Sequence, residues 1–162
     1  MSRSLVVGIS DFTVARSPDV IVTYALGSCV GICLYDGIVQ IGGLSHIMLP
    51  DSAQFSKSET NRMKFADTAI TDMVAEMRKL GVDVRRITAK IAGGAKMFQT
   101  QPGNAIGSIG DRNVESVKQV LQSLQIPIAA QDTGKDYGRT VYFDLESGKM
   151  KVCSLNKCEI IL

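Results

Sequence analysis

The sequence contains no tryptophan, only 6% aromatic residues and a single histidine. Binders of single strands stack bases on aromatic faces, so that class is disfavoured. An excess of charge of one sign is also lacking: 18 Lys and Arg stand against 16 Asp and Glu, net +2, with no basic run or stripe. A nucleic-acid partner therefore has no electrostatic footprint here. No apolar run reaches the ~18–20 residues that a spanning helix needs. The opening MSRSLVVGISDF holds an apolar patch too short for a signal peptide and no small-residue cleavage site, so a cytoplasmic location is expected. Repeats and low-complexity tracts are missing too.

Cysteine is sparse, at positions 29, 33, 153 and 158. Four such residues do not make the dense framework of a small secreted domain. Cys29 and Cys33 lie four apart along one expected strand, too far for a disulfide. Cys33, Cys153 and Cys158 sit in apolar strand patterns and read as buried structural thiols. What remains is an ordinary globular composition, 45% apolar and 21% charged, over a length of 162 residues that suits a single domain, residues 1–162.

Hydrophobic periodicity divides the chain into two helices and about eight strands. Strands are expected over Leu5–Ile9, Asp19–Ala25, Cys29–Tyr35, Ile38–Met48, Arg86–Ala92, Ile126–Gln131, Arg139–Leu145, Met150–Leu155 and Lys157–Leu162. Ala66, Ile70, Met73, Val74, Met77 and Leu80 recur at helical spacing, predicting a helix over Arg62–Leu80 that ends at Gly81. Val114, Val117, Leu121 and Leu124 predict a second over Asp111–Gln125, opened by Gly110 and Asp111. Asp51–Asn61 and Lys96–Ser108 read as loops. Helices and strands do not alternate regularly, so a pure parallel sheet is excluded. The expected fold is α/β: a layered sandwich with a mixed, largely antiparallel sheet and two main helices.

One hairpin carries the chemistry. Asp36-Gly37 signals a two-residue turn, which would set Tyr35 opposite Ile38 and Cys29 opposite Leu44. His46 would then be a diagonal neighbour of Cys29 on the same sheet face, ~7–8 Å away at the backbone. A one-residue slip would send it to the other face. An imidazole that takes the thiol proton makes a thiolate nucleophile, and the imidazolium can later protonate a leaving amine. The small residues around Cys29 let a carbonyl approach the backbone, so amides near Gly27, Ser28 and Val30 are candidate oxyanion donors. Two blander readings stand beside this one. His46 and Cys29 would be inert strand residues, or Cys29, Cys33, His46 and a C-terminal cysteine would bind zinc, although their spacing fits tetrahedral sites poorly.

The string VTYALGSCVGICLYD, followed by GGLSHIMLPDS, closely resembles the chemoreceptor glutamine deamidase family, CheD. KFADTAITDMV, AKIAGGAKMF, IGDRNVESVKQVL, IPIAAQDTG and YGRTVYFDLESGKMKV continue the likeness collinearly, over about residues 5–155. The resemblance implies an α/β/α sandwich similar to bacterial toxin deamidase domains. It implies hydrolysis of particular glutamine side chains on methyl-accepting chemotaxis receptors to glutamate, with no metal or organic cofactor. The family's catalytic cysteine falls on Cys29, its histidine on His46 and a third member, a threonine, on Thr23. A CheC-type phosphatase is the implied partner, and a regulatory module that binds and stimulates that phosphatase with little catalysis is the alternative role. Gly93, Gly94, Arg112, Asn113, Asp132, Thr133 and Gly134 match as well and read as structural. Where the family usually shows a second glycine after Gly134, this chain has Lys135, which suggests an altered loop.

Overall fold

The computed structural model describes residues 2–54, 61–97, 108–154 and 157–162. Among these residues, ten strands form two five-stranded sheets. The first sheet contains β1 (Ser4–Val7), β3 (Val20–Leu26), β8 (Arg139–Asp144), β9 (Met150–Ser154) and β10 (Lys157–Ile161), in the order β1-β3-β8-β9-β10. The second contains β2 (Asp11–Arg16), β4 (Val30–Asp36), β5 (Ile41–Ile47), β6 (Thr88–Gly93) and β7 (Ile128–Thr133), in the order β2-β5-β4-β6-β7. Among the described residues, only β1–β3 and β6–β7 pair in parallel; the other strand pairs are antiparallel. The helices are α1 (Ala66–Lys79) and α2 (Ile109–Ser123).

Strand alternation sorts the second sheet into two buried faces. Val30, Ile32, Leu34, Ile41, Ile47, Ala89 and Ile91 pack with the apolar stripes of α1 and α2. Cys33, Leu44 and Ala92 point the other way, against Ile21, Val141, Phe143, Met150 and Val152 of the first sheet. The layers therefore run helices, sheet, sheet. The α/β class, the mixed and largely antiparallel pairing and the two main helices are as the sequence suggested. The difference lies in the layer order implied by the resemblance: both helices share one side, and a second sheet occupies the place of the far helical layer.

β2 is the strand that periodicity did not reveal. Its sequence, DFTVAR, offers only Phe12 and Val14 as an apolar alternation, and both are partly buried against the helical core. The second helix begins at Ile109, with Ser108 as its N-cap accepting from the Asp111 amide. Residues 55–60 and 98–107, which hold most of the two expected loops, lie outside the described residues.

The β4–β5 connection differs from the two-residue turn in an instructive way. Asp36 pairs with Ile41, so four residues, Gly37 to Gln40, make the connection. Asp36 is fully buried and serves as a hub: its carboxylate accepts from the Ile38 and Asp83 amides and from Arg86. An Asp spent in this way is the last strand residue rather than the first turn residue. The register moves by four, an even number, so every side chain keeps its predicted face.

Candidate active site

β3 belongs to the first sheet and β4 to the second, so Gly27, Ser28 and Cys29 carry the chain from one sheet to the other. Ala25 adopts φ 58° at a register break in β3. This bulge leaves Tyr24 and Ala25 exposed and turns Leu26 inward, redirecting the chain toward the second sheet. Gly27, Ser28 and Cys29 are each half-buried, a window in an otherwise closed seam.

Extending the observed register by one residue places Cys29 across from Met48, and His46 is its diagonal neighbour on the face toward the first sheet. Thr23, on β3, reaches His46 from that opposing sheet: its Oγ1 lies 2.7 Å from Nδ1. The same hydroxyl lies 2.8 Å from the Val7 carbonyl. A hydroxyl has one proton, and a carbonyl only accepts, so Thr23 donates to Val7. The Thr23–His46 contact is then a hydrogen bond only if Nδ1 carries the proton and donates it. The network thus assigns the tautomer and leaves Nε2 with its lone pair free. Among the described residues Nε2 has no hydrogen-bond partner, Cys29 Sγ included, although both His46 and Thr23 are fully buried.

Burial sets the electrostatics. It lowers the His46 pKa from 6.5 to about 4 and raises that of Cys29, with the Cys29 backbone amide opposing the latter. The resting pair is a neutral imidazole beside a neutral thiol. Such an imidazole is unprotonated at neutral pH and ready to act as a base.

The window is held from behind. The Gly94 amide donates to the Cys29 carbonyl at 2.8 Å and the Ala95 amide to the Gly27 carbonyl at 2.9 Å. Gly93 has φ +112°, and a Cβ there would come within 2.3 Å of the Cys29 carbonyl oxygen, so only glycine permits this approach. Asn113 of α2, fully buried, donates through Nδ2 to the Ser28 carbonyl at 2.9 Å and the Met48 carbonyl at 3.1 Å. Among the described residues the Ser28 and Cys29 amides have no backbone acceptor. Val30, by contrast, is paired to both Ile47 and Gly93, so its amide lies inside the ladder. Beside the window, a cavity of about 630 Å³ opens on the outer face of the first sheet, bordered by Tyr24, Gly27, Met97, Tyr142 and Cys153.

Cys33 is buried, with its thiol 3.6 Å from the Met150 sulfur. Cys153 departs from the expected core position: Val152 takes the inward place and Cys153 is half-buried on the outer face. The side chain of Cys158 lies outside the described residues. Among the described residues, no three of His, Cys, Asp and Glu come together to hold a metal. Sequence reasoning set Asn113 aside as structural. Its signal was a polar residue in step with Val117 and Leu121, four and eight positions on, along a buried stripe.

Residues 48–154 match the model of the family described as CheD chemotactic sensory transduction. That match begins two residues after His46. Full-length relatives extend the similarity. A protein of Clostridium botulinum strain Hall named probable chemoreceptor glutamine deamidase CheD is 52% identical over 150 residues, 93% of this chain and 92% of that one. One of the same name from Syntrophomonas wolfei is 46% identical over 162 residues, the whole of both chains. A crystal structure of the Bacillus licheniformis hypothetical protein YfiH is similar at a TM-score of 0.47 and 15% identity, covering 76% of this chain and 50% of that one, so the chain spans about half its length. With a family match across two thirds of its residues and relatives of about half-identical sequence along its length, the chain belongs to the CheD family.

Proposed function

We propose that the protein hydrolyses the side-chain amide of glutamines on methyl-accepting chemotaxis receptors, with Cys29 as nucleophile, His46 as base and Thr23 as the group that orients the imidazole. The observation that carries this reading is the bond between Thr23 Oγ1 and His46 Nδ1 at 2.7 Å, with the Val7 carbonyl fixing its direction. It presents an unprotonated Nε2 on the sheet face that Cys29 shares. The names of the Clostridium and Syntrophomonas relatives supply the substrate class.

The reaction is acyl transfer. Rotation of the Cys29 side chain brings Sγ to Nε2, which takes its proton. The thiolate adds to the glutamine carbonyl, and the amides of Ser28 and Cys29, with Gly27 lending open backbone, receive the negative oxygen. The amine leaves with the proton from His46 as ammonia. His46 then deprotonates a water that cleaves the thioester and leaves glutamate. A neutral threonine stabilises the imidazolium less than a carboxylate would, so Thr23 works through ring orientation and tautomer. The apolar cavity that reaches Gly27 supports the reading further, since it offers a receptor segment a seat that ends two residues short of Cys29 in the chain.

The test is mass spectrometry of a receptor cytoplasmic fragment after incubation with wild type or Cys29→Ala. Wild type is expected to convert specific glutamines to glutamate with release of ammonia, and Cys29→Ala to convert none while unfolding at the same temperature. Conversion by the alanine variant would rule out the thioester.

A further inference from the structure

Each carbonyl of the window is anchored, but not in the same way. Gly27 and Cys29 give theirs to backbone amides at the end of β6, whereas Ser28 gives its carbonyl to a side chain, Asn113 Nδ2 at 2.9 Å. A trans peptide points its C=O and the following N–H in opposite directions within one plane. Anchoring the Ser28 carbonyl therefore aims the Cys29 N–H, one of the two window amides without a backbone acceptor among the described residues. The second Nδ2 bond, to the Met48 carbonyl at 3.1 Å, ties the same side chain to the strand end two residues past His46. Both acceptors are carbonyls, so the amide orientation of Asn113 is unambiguous. Its Oδ1 is buried with no partner among the described residues. An orphaned acceptor of this kind is unfavourable.

We propose that Asn113 is a positioning residue for deamidation: it holds the Ser28–Cys29 peptide so that the Cys29 N–H faces the oxyanion. This rests on Cys29 being the nucleophile. In the step concerned, the S–C bond forms, the carbonyl π pair moves onto oxygen, and the thiol proton resides on His46 Nε2. Collapse of the oxyanion then expels the amine, which takes that proton. Without Asn113 the peptide plane is free to turn, and the Cys29 N–H no longer meets the developing charge.

The experiment compares wild type, Asn113→Ala, Asn113→Asp and Cys29→Ala by two readouts. One is steady-state deamidation of a receptor cytoplasmic fragment. The other is alkylation of Cys29 by iodoacetamide across pH, a displacement at saturated carbon that forms no oxyanion and reads only the thiol–imidazole pair. Loss of one oxyanion donor predicts a fall in kcat of about 100-fold, with KM and the alkylation profile each within about threefold of wild type. Asn113→Asp, equal in size but repelled by both carbonyls, is expected to fall at least as far. Unchanged kcat, alkylation that falls in step with kcat, or failure of both Asn113 variants to fold each overturns the proposal. Deamidation by Cys29→Ala would instead remove the nucleophile assignment beneath it, an outcome that Cys29→Ala alone reports.

Discussion

At the scale of single residues, the arrangement concentrates on His46. The unfolded chain takes up a proton there as pH falls through about 6.5, whereas the folded chain resists until about 4. Between these values the unfolded state binds more protons, so acid favours unfolding. The stability that goes with keeping His46 neutral is intact above pH 6.5, declines as pH falls and is gone by about pH 4. The shift corresponds to about 3 kcal/mol. Chemical denaturation at a series of pH values is expected to show this decline in wild type and a flatter curve in His46→Gln across the same window. Thr23→Val tests the tautomer. It leaves the buried Nδ1–H without its acceptor and should cost about 1–3 kcal/mol of stability, and a similar rise in the reaction barrier would slow kcat about 10- to 100-fold. Thr23→Ser keeps the hydroxyl and should recover most of the rate.

At the scale of elements, two backbone devices near the site make separable predictions. Lys135 has φ 63°, next to Gly134 at φ 79°, and its carbonyl accepts from the Lys96 amide. The turn thus keeps the left-handed shape a glycine would adopt, and the lysine bears the strain. Lys135→Gly relieves ~1–2 kcal/mol of left-handed strain and gives back part of it to the more flexible unfolded chain. Thermal unfolding should show a net gain of about 0.5 kcal/mol with unchanged activity. Gly93→Ala is the opposite case. Its methyl would sit 2.3 Å from the Cys29 carbonyl oxygen, so the window must shift. A loss of more than about 2 kcal/mol is expected, together with loss of deamidation. These elements also show where sequence reading works. The face of His46 was legible because strand parity survives any even change of register. The length of the β4–β5 connection was not, because it depends on Arg86 and the Asp83 amide reaching Asp36 from 47–50 residues away. The β3 bulge and β2 were hidden for related reasons. A left-handed alanine has no signature in composition, and DFTVAR becomes a strand only when β5 and α1 are there to receive it. Thr23 entered through family resemblance alone, since one threonine in a strand carries no signal until a second sheet places it against an imidazole.

At the scale of the whole molecule, the contact between the sheets matters as much as either sheet. Phe143 of the first sheet is fully buried and meets Tyr35 of the second edge-to-face, with ring centroids 5.9 Å apart. Phe143→Ala should cost about 3–5 kcal/mol in denaturant unfolding. Activity per folded molecule should fall too, because the same seam holds Thr23 against His46. The division of labour across that seam has a consequence for how the site is completed. Cys29 and His46 belong to one half, while Thr23 and Val7 belong to the other. Apart from the first sheet, the His46 ring has no threonine hydroxyl to hold it in one tautomer. On the proposed assignment the catalytic group would be complete only where the two sheets meet, since the hydroxyl that fixes the imidazole comes from the sheet opposite the one that carries it.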